Sequence, residues 1–172
     1  MTDPAPLTRF QRMLLATDGT VTHILEAYAD EPVEVVKLLQ AFDTSNPAEA
    51  ALLLSDDDKV LRRQVVLRSA RSRRNLLYAE TTVVVDRVDQ ALLDGLLATD
   101  KPMGLLMAEG RTETFREILA VGRRPAGARG PHFALGPADE LIFRTYRIVA
   151  GGRPVILITE EFPPTFFRDL PA

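Results

Sequence analysis

Apolar residues at Leu7, Phe10, Met13 and Leu14 recur at helical spacing, with Arg9, Gln11 and Arg12 outside the stripe. They predict a helix from Leu7 to Ala16, broken by Asp18-Gly19. A second short helix, His23 to Ala29, includes Ile24, Leu25 and Tyr28 among its apolar positions and has Thr20 or Thr22 as its cap. Pro32 stops it, and Val33, Val35 and Val36 open a β-branched segment running to about Phe42. A loop is expected from Asp43 to Pro47, and a loop or short helical stretch from Leu52 to Asp58. Val60 to Leu67 and Leu76 to Val85 read as the strands of a long antiparallel hairpin, joined by the polar, arginine-rich turn Ser69 to Asn75.

Further on, Asp89 can cap a helix reaching about Ala98, with Ala91, Leu92, Leu96 and Leu97 inward, before Asp100-Lys101-Pro102 ends it. Met103 to Met107 is a short apolar element. Thr112 to Val121 carries Phe115, Ile118, Leu119 and Val121 and is compatible with either a helix or a strand. The richness of Gly122 to Pro137 in Gly, Pro and Arg predicts a long surface loop. The last hairpin, Leu141 to Phe162, turns at Gly151-Gly152, where both residues accept positive φ without steric cost. Helices lead, and the later strands are joined as hairpins. The expected fold class is therefore α+β with an antiparallel sheet and flanking helices, as a single domain over residues 1–172.

Composition removes whole classes of chemistry. The chain has no cysteine, which excludes disulfides, thiolate catalysis and cysteine zinc sites, and its two histidines, His23 and His132, cannot form a histidine-rich metal site. A net charge of −3 argues against general nucleic-acid affinity. No apolar run approaches the roughly 20 residues that span a bilayer. Met1 to Pro6 does not read as a signal peptide, so a cytoplasmic protein is the expectation. The sequence also lacks a Gly-x-Gly-x-x-Gly turn, a phosphate-binding Gly-Lys-Ser/Thr loop and a Gly-x-Ser-x-Gly elbow. Any catalysis is expected to use arginines, carboxylates and backbone amides.

Two side chains stand out on those terms. Arg63 alternates with Val65 and Leu67 on one strand face. If that face is interior, its rigid guanidinium fork suits bidentate capture of a carboxylate. An exposed edge-strand arginine, or an internal salt bridge, is the plainer reading. Glu160 ends an apolar strand and shares a face with Ile156 and Ile158, while Glu161 lies on the other face with Leu157. A carboxyl group there can act as an acid or accept a hydroxyl hydrogen bond. It can equally be a strand-end group that reaches water or pairs with an arginine. Glu80, among Tyr78, Thr81 and Thr82, reads as a structural ion-pair partner. Met103-Gly104, after Pro102, and Thr20, Val21 and Thr22, at a helix entrance, offer backbone amides that can bind a carboxylate; turn formation and ordinary capping explain them as well.

The order of several short blocks resembles the chorismate pyruvate-lyase family, in its actinobacterial, 4-hydroxybenzoate-forming branch. The blocks are Asp18-Gly-Thr-Val-Thr-His-Ile-Leu, Leu61-Arg-Arg-Gln-Val-Val-Leu, Tyr78-Ala-Glu-Thr-Thr-Val-Val-Val-Asp-Arg and Lys101-Pro-Met-Gly-Leu-Leu-Met. Glu113-Thr-Phe-Arg-Glu, Arg144-Thr-Tyr-Arg-Ile-Val-Ala-Gly-Gly-Arg-Pro and Ile158-Thr-Glu-Glu-Phe continue the series, and the likeness runs from about Leu7 to Asp169. The resemblance implies an antiparallel sheet with helices enclosing a buried site, and cofactor-free elimination of pyruvate from chorismate to leave 4-hydroxybenzoate. It makes Arg63 the arginine that binds a substrate carboxylate. Glu160 becomes the acidic residue facing the ether oxygen or product hydroxyl, and Met103 and Val21 the main-chain amides at the ring carboxylate. Enterobacterial members carry Gly-Arg-Thr where this chain has Glu80-Thr81-Thr82; Arg144 or Arg147 is the expected substitute for the missing arginine. The implied ligand is an aromatic or cyclohexadiene carboxylate, and a monomer or a homodimer fits.

Two alternatives stay open on the residues. One is a cofactor-free cyclase or isomerase on the same scaffold, which an apolar pocket with Arg63 turned outwards would favour. The other is a non-catalytic small-acid-binding effector-type domain, against which the lack of a helix-turn-helix segment counts.

Overall fold

The computed structural model describes residues 6–43, 50–111 and 113–168. Most of the expected loop from Asp43 to Pro47 lies outside the described residues, as do most of Met1 to Pro6 and the Asp169 end of the resemblance. The chain begins with α1 (Arg9–Ala16) and α2 (Val21–Ala29). Thr8 and Gln11 form a reciprocal capping box at the start of α1, which fixes where that helix begins. Strand β1 (Val33–Asp43) and the hairpin β2 (Val60–Ser69) and β3 (Asn75–Val84) follow, then α3 (Gln90–Ala98) and α4 (Met103–Gly110). The chain closes with β4 (Phe115–Pro125), β5 (Glu140–Ala150) and β6 (Arg153–Phe162). No described helix is long and apolar enough to cross a membrane.

All six strands form one antiparallel sheet in the order β1-β2-β3-β6-β5-β4. The final hairpin inserts β6 beside β3 at the centre, leaving β1 and β4 at the edges. Gly151 and Gly152 make its turn with φ of +56° and +75°, as their lack of a Cβ allows.

The helices cover one face of the sheet in two separate packs. Leu14, Leu15, Val21 and Leu25 of α1 and α2 pack on Val65, Leu67, Leu77, Phe162 and Phe167. Leu92, Leu93 and Leu96 of α3 pack on Leu61, Val83, Ile148 and Ile156, with Met103, Leu106 and Met107 of α4 alongside. Full burial of each such side chain contributes roughly 1.5–3 kcal/mol. The opposite face is covered in part by a 3-10 segment, Gly127–Phe133, which seats Phe133 against Val66, Tyr78 and Leu141.

Two expectations are corrected and one open reading is settled. In α3 the inward positions are Leu92, Leu93 and Leu96, whereas Ala91 and Leu97 face out; adjacent leucines straddle the centre of the buried stripe. The ambiguous segment after residue 112 is the edge strand β4, in which exposed Phe115, Leu119 and Val121 reflect an open strand edge rather than a core face. Gly122 to Pro137 is not one surface loop. Its first residues finish β4, and Ala126, Gly130 and Phe133 are buried beneath the 3-10 turn.

Candidate active site

Between the two helical packs the inner face of the sheet is left partly uncovered, and a cavity of about 70 Å³ lies there. Val35, Val65, Leu67 and Leu77 form its apolar floor, with Tyr146, Ile148 and Ile158 on the other side. It adjoins an outer vestibule of about 460 Å³ that shares Gly19, Thr20, Gly104, Met107 and Arg116 with it. Chemistry-bearing groups reach the cavity from both ends of the sheet and from two helix starts.

From β2 comes Arg63, only 4% exposed. Its Nε donates to Gln40 Oε1 at 2.8 Å, and its Nη2 is buried with no hydrogen-bond partner among the described residues. Gln40 stands opposite it because an extra residue, Leu38, shifts the register of β1. Burial draws the guanidinium's pKa down, with Asp100 opposing. A buried donor left unpaired is costly unless something is meant to fill it.

On β6, Glu160 is 4% exposed and also borders the cavity. Its Oε2 accepts from Arg144 Nε at 2.6 Å and its Oε1 from the Tyr146 hydroxyl at 3.1 Å. Arg144 in turn donates through Nη1 to the Thr17 carbonyl at 2.5 Å, tying the pair to the end of α1. Burial, then the Glu160 charge, pushes the Tyr146 hydroxyl well above its ordinary pKa, so it stays a proton donor to the carboxylate. Glu160 therefore pairs with an arginine and also borders the cavity.

The helix starts add backbone donors. Neither Thr20, before α2, nor Pro102, before α4, caps its helix through a side chain. The first-turn amides of a helix lack intrahelical acceptors. Val21 and Thr22 of α2 and Met103 and Gly104 of α4 all line the cavity. The two starts approach so closely that a Cβ at Gly104 would lie 2.8 Å from Thr20 Cγ2. Converging amide groups and helix dipoles favour an anion.

The structure thus brings Arg63, Glu160, Val21, Thr22, Met103 and Gly104 to one cavity, with Arg144 directly behind Glu160. Glu80 and Arg147 are placed elsewhere. Both project from the opposite face of the sheet because each is one residue out of phase with the inward set. Glu80 accepts from Arg129 at 2.6 Å and Tyr78 at 2.9 Å, while Arg147 donates to Glu117 at 2.8 Å and to the Ala51 carbonyl at 3.0 Å. Neither lines this cavity. Glu161 shares that outer face but is buried, ion-paired with Arg124 and Arg129 at 3.2 Å. Sequence reasoning missed Tyr146, Thr81, Lys101 and Arg116, all of which line the cavity. Alternation from Arg144 marks Tyr146; Arg116 carries no such signal, since its strand was ambiguous.

Residues 15–170 match the family described as chorismate pyruvate-lyase Rv2949c-like. The chain belongs to that family. Among relatives of this chorismate pyruvate-lyase family member, a chorismate pyruvate-lyase of Mycobacterium tuberculosis (strain ATCC 25618 / H37Rv) is 31% identical over 175 residues, covering 96% of this chain and 85% of the relative. One of Mycobacterium leprae (strain TN) is 33% identical over 167 residues, covering 96% and 79%. Solved structures share the fold at low identity. PhnF from Mycobacterium smegmatis has a TM-score of 0.68 at 12% identity, over 91% of this chain and 70% of its own. The C-terminal domain of a histidine utilization repressor from Pseudomonas syringae has a TM-score of 0.62 at 14% identity, over 81% and 97%.

Proposed function

We propose that this chain eliminates pyruvate from chorismate without a cofactor, leaving 4-hydroxybenzoate. One observation carries the reading: a buried arginine with an unpartnered Nη2 borders the same cavity as a buried, rigidly held carboxylate.

Arg63 and the first-turn amides of α2 and α4 take the ring carboxylate, a charge-assisted arrangement at two helix starts. Glu160, fixed by Arg144 and Tyr146, then faces the ether oxygen. In the reaction the ring-carbon-to-ether-oxygen bond breaks and its electron pair leaves with the enolpyruvyl oxygen. The neighbouring ring carbon, which bears the hydroxyl, loses its hydrogen as a proton, and that electron pair completes the aromatic ring. The proton ends on the methylene carbon of the enol fragment, giving pyruvate. Aromatisation supplies the driving force, so the protein needs mainly to orient the substrate and handle one proton.

The cyclase alternative is not favoured, because Arg63 points inward and the lining is not wholly apolar. The purified protein incubated with chorismate should release 4-hydroxybenzoate and pyruvate in equal amounts, read by chromatography and a coupled pyruvate assay. No turnover would sink the reading.

A further inference from the structure

Two guanidinium groups border the cavity, and they come from strands on opposite halves of the sheet. Arg63 rises from β2 and Arg116 from the edge strand β4. Four strand spacings separate those strands, about 19 Å of sheet at roughly 4.8 Å each. A bulge is what turns Arg116 inward. Leu119 is an extra residue between the Ile118–Tyr146 and Ala120–Thr145 pairs, and it places Arg116 opposite Ile148 on the cavity face.

Neighbouring arginines on that half of the sheet are already matched with carboxylates: Arg147 with Glu117, Arg123 with Glu140, and Arg144 with Glu160. Arg116 has no carboxylate partner among the described residues. Its Nη1 donates to the backbone carbonyls of Asp18 and Gly19, the latter at 2.6 Å, which steers the side chain without neutralising it. Its Nε and Nη2 make no hydrogen bond to described residues. The guanidinium carbon sits 5.9 Å from the centroid of Tyr146, the residue that donates to Glu160, and Arg116 also borders the outer vestibule. An unmatched, oriented cation beside the proton-handling group is placed to bind a second anionic group of the ligand.

Resting on the lyase reading above, we infer that Arg116 binds the second carboxylate of the substrate, the one on the enolpyruvyl group. Arg63 and the helix amides hold the ring carboxylate. Arg144 and Arg147 do not take this part, since one is committed to Glu160 and the other lies on the outer face. The carboxylate that Arg116 reads departs with pyruvate. Arg116 therefore distinguishes the dianionic substrate from the monoanionic aromatic product, and it favours entry of one without strengthening retention of the other.

The test compares wild type with Arg116→Gln, which removes the charge, and with Arg116→Lys, which keeps it. KM for chorismate should rise about tenfold to a hundredfold in Arg116→Gln, the size expected for one charge-assisted hydrogen bond, and less in Arg116→Lys. The inhibition constant for 4-hydroxybenzoate should stay within about twofold of wild type in both. An unchanged KM would overturn the inference, as would a parallel rise in the inhibition constant, which would make Arg116 merely a brace for Asp18 and Gly19. If Arg116→Gln does not fold, the same two constants read on Arg116→Lys decide. A wild type without chorismate turnover overturns the lyase reading and this inference together, whereas an active wild type beside an unaffected variant overturns the inference alone.

Discussion

Arg144 and Glu160 face each other across β5 and β6 at one register position, with Nε 2.6 Å from Oε2 and both side chains almost wholly buried. The carboxylate that borders the cavity is the one the guanidinium fixes. Removing one partner leaves an uncompensated buried charge. Arg144→Leu should lower unfolding free energy by about 3–5 kcal/mol in urea titration, and Arg144→Met combined with Glu160→Met should recover most of it. A double variant no more stable than the single one would show that the pair is not what the fold loses.

Glu160 and Tyr146 separate by chemistry. Glu160→Gln keeps the shape and removes the proton site, so kcat should fall about a hundredfold or more. Tyr146→Phe removes only the donor to Oε1 and should reduce kcat by about tenfold. Steady-state kinetics on chorismate reads both, and equal losses would contradict the division of roles.

Arg63 is held at a cost to stability, since its Nη2 is buried without a partner among the described residues. Arg63→Met should therefore raise the midpoint of thermal unfolding while weakening 4-hydroxybenzoate binding about tenfold or more by calorimetry. A fall in both quantities would mean that Arg63 serves the core rather than the ligand.

Gly104 sets the distance between the starts of α2 and α4. In Gly104→Ala the new methyl meets Thr20 Cγ2, so ligand affinity should fall. Thr20→Ser removes that Cγ2 and should restore affinity in the double variant. No restoration would place the effect of the alanine elsewhere.

Glu31 ties the tip of the β2–β3 hairpin to the end of α2. Its carboxylate accepts from the Ser72 hydroxyl at 2.6 Å and from the amides of Ser72 and Arg71 at 2.9 and 2.8 Å, which hold its pKa at about 2 against an ordinary 4.5. Because the folded value is the lower one, its contribution is present above pH 4.5 and is lost as pH falls towards 2. Glu31→Gln should melt below wild type at neutral pH and converge with it near pH 2. Parallel melting curves across that window would contradict the linkage.

Local signals carried the elements. Alternation put Arg63 on the same face as Val65 and Leu67, Asp89 capped α3 through the Leu92 amide at 2.8 Å, and Gly151-Gly152 marked the last turn. Edge strand β4 was not legible, because its apolar side chains lie partly in the open and mimic no single period.

The sequence by itself determined α1 to α3, the β2–β3 and β5–β6 hairpins and the antiparallel α+β class, and left open which faces of β2 and β6 are inward. Tertiary structure alone decided which residues meet. A two-residue turn at Gly151-Gly152 in unbroken register would set Arg144 against Thr159; the unpaired Val155 shifts β6 by one and sets it against Glu160. Leu38 does the same for Gln40 and Arg63, and Leu119 for Arg116. Each bulge moves a polar side chain by one position, and a one-residue slip exchanges the two faces of a strand. Packing of the whole sheet against its helices selects those slips, and no short stretch of sequence encodes them.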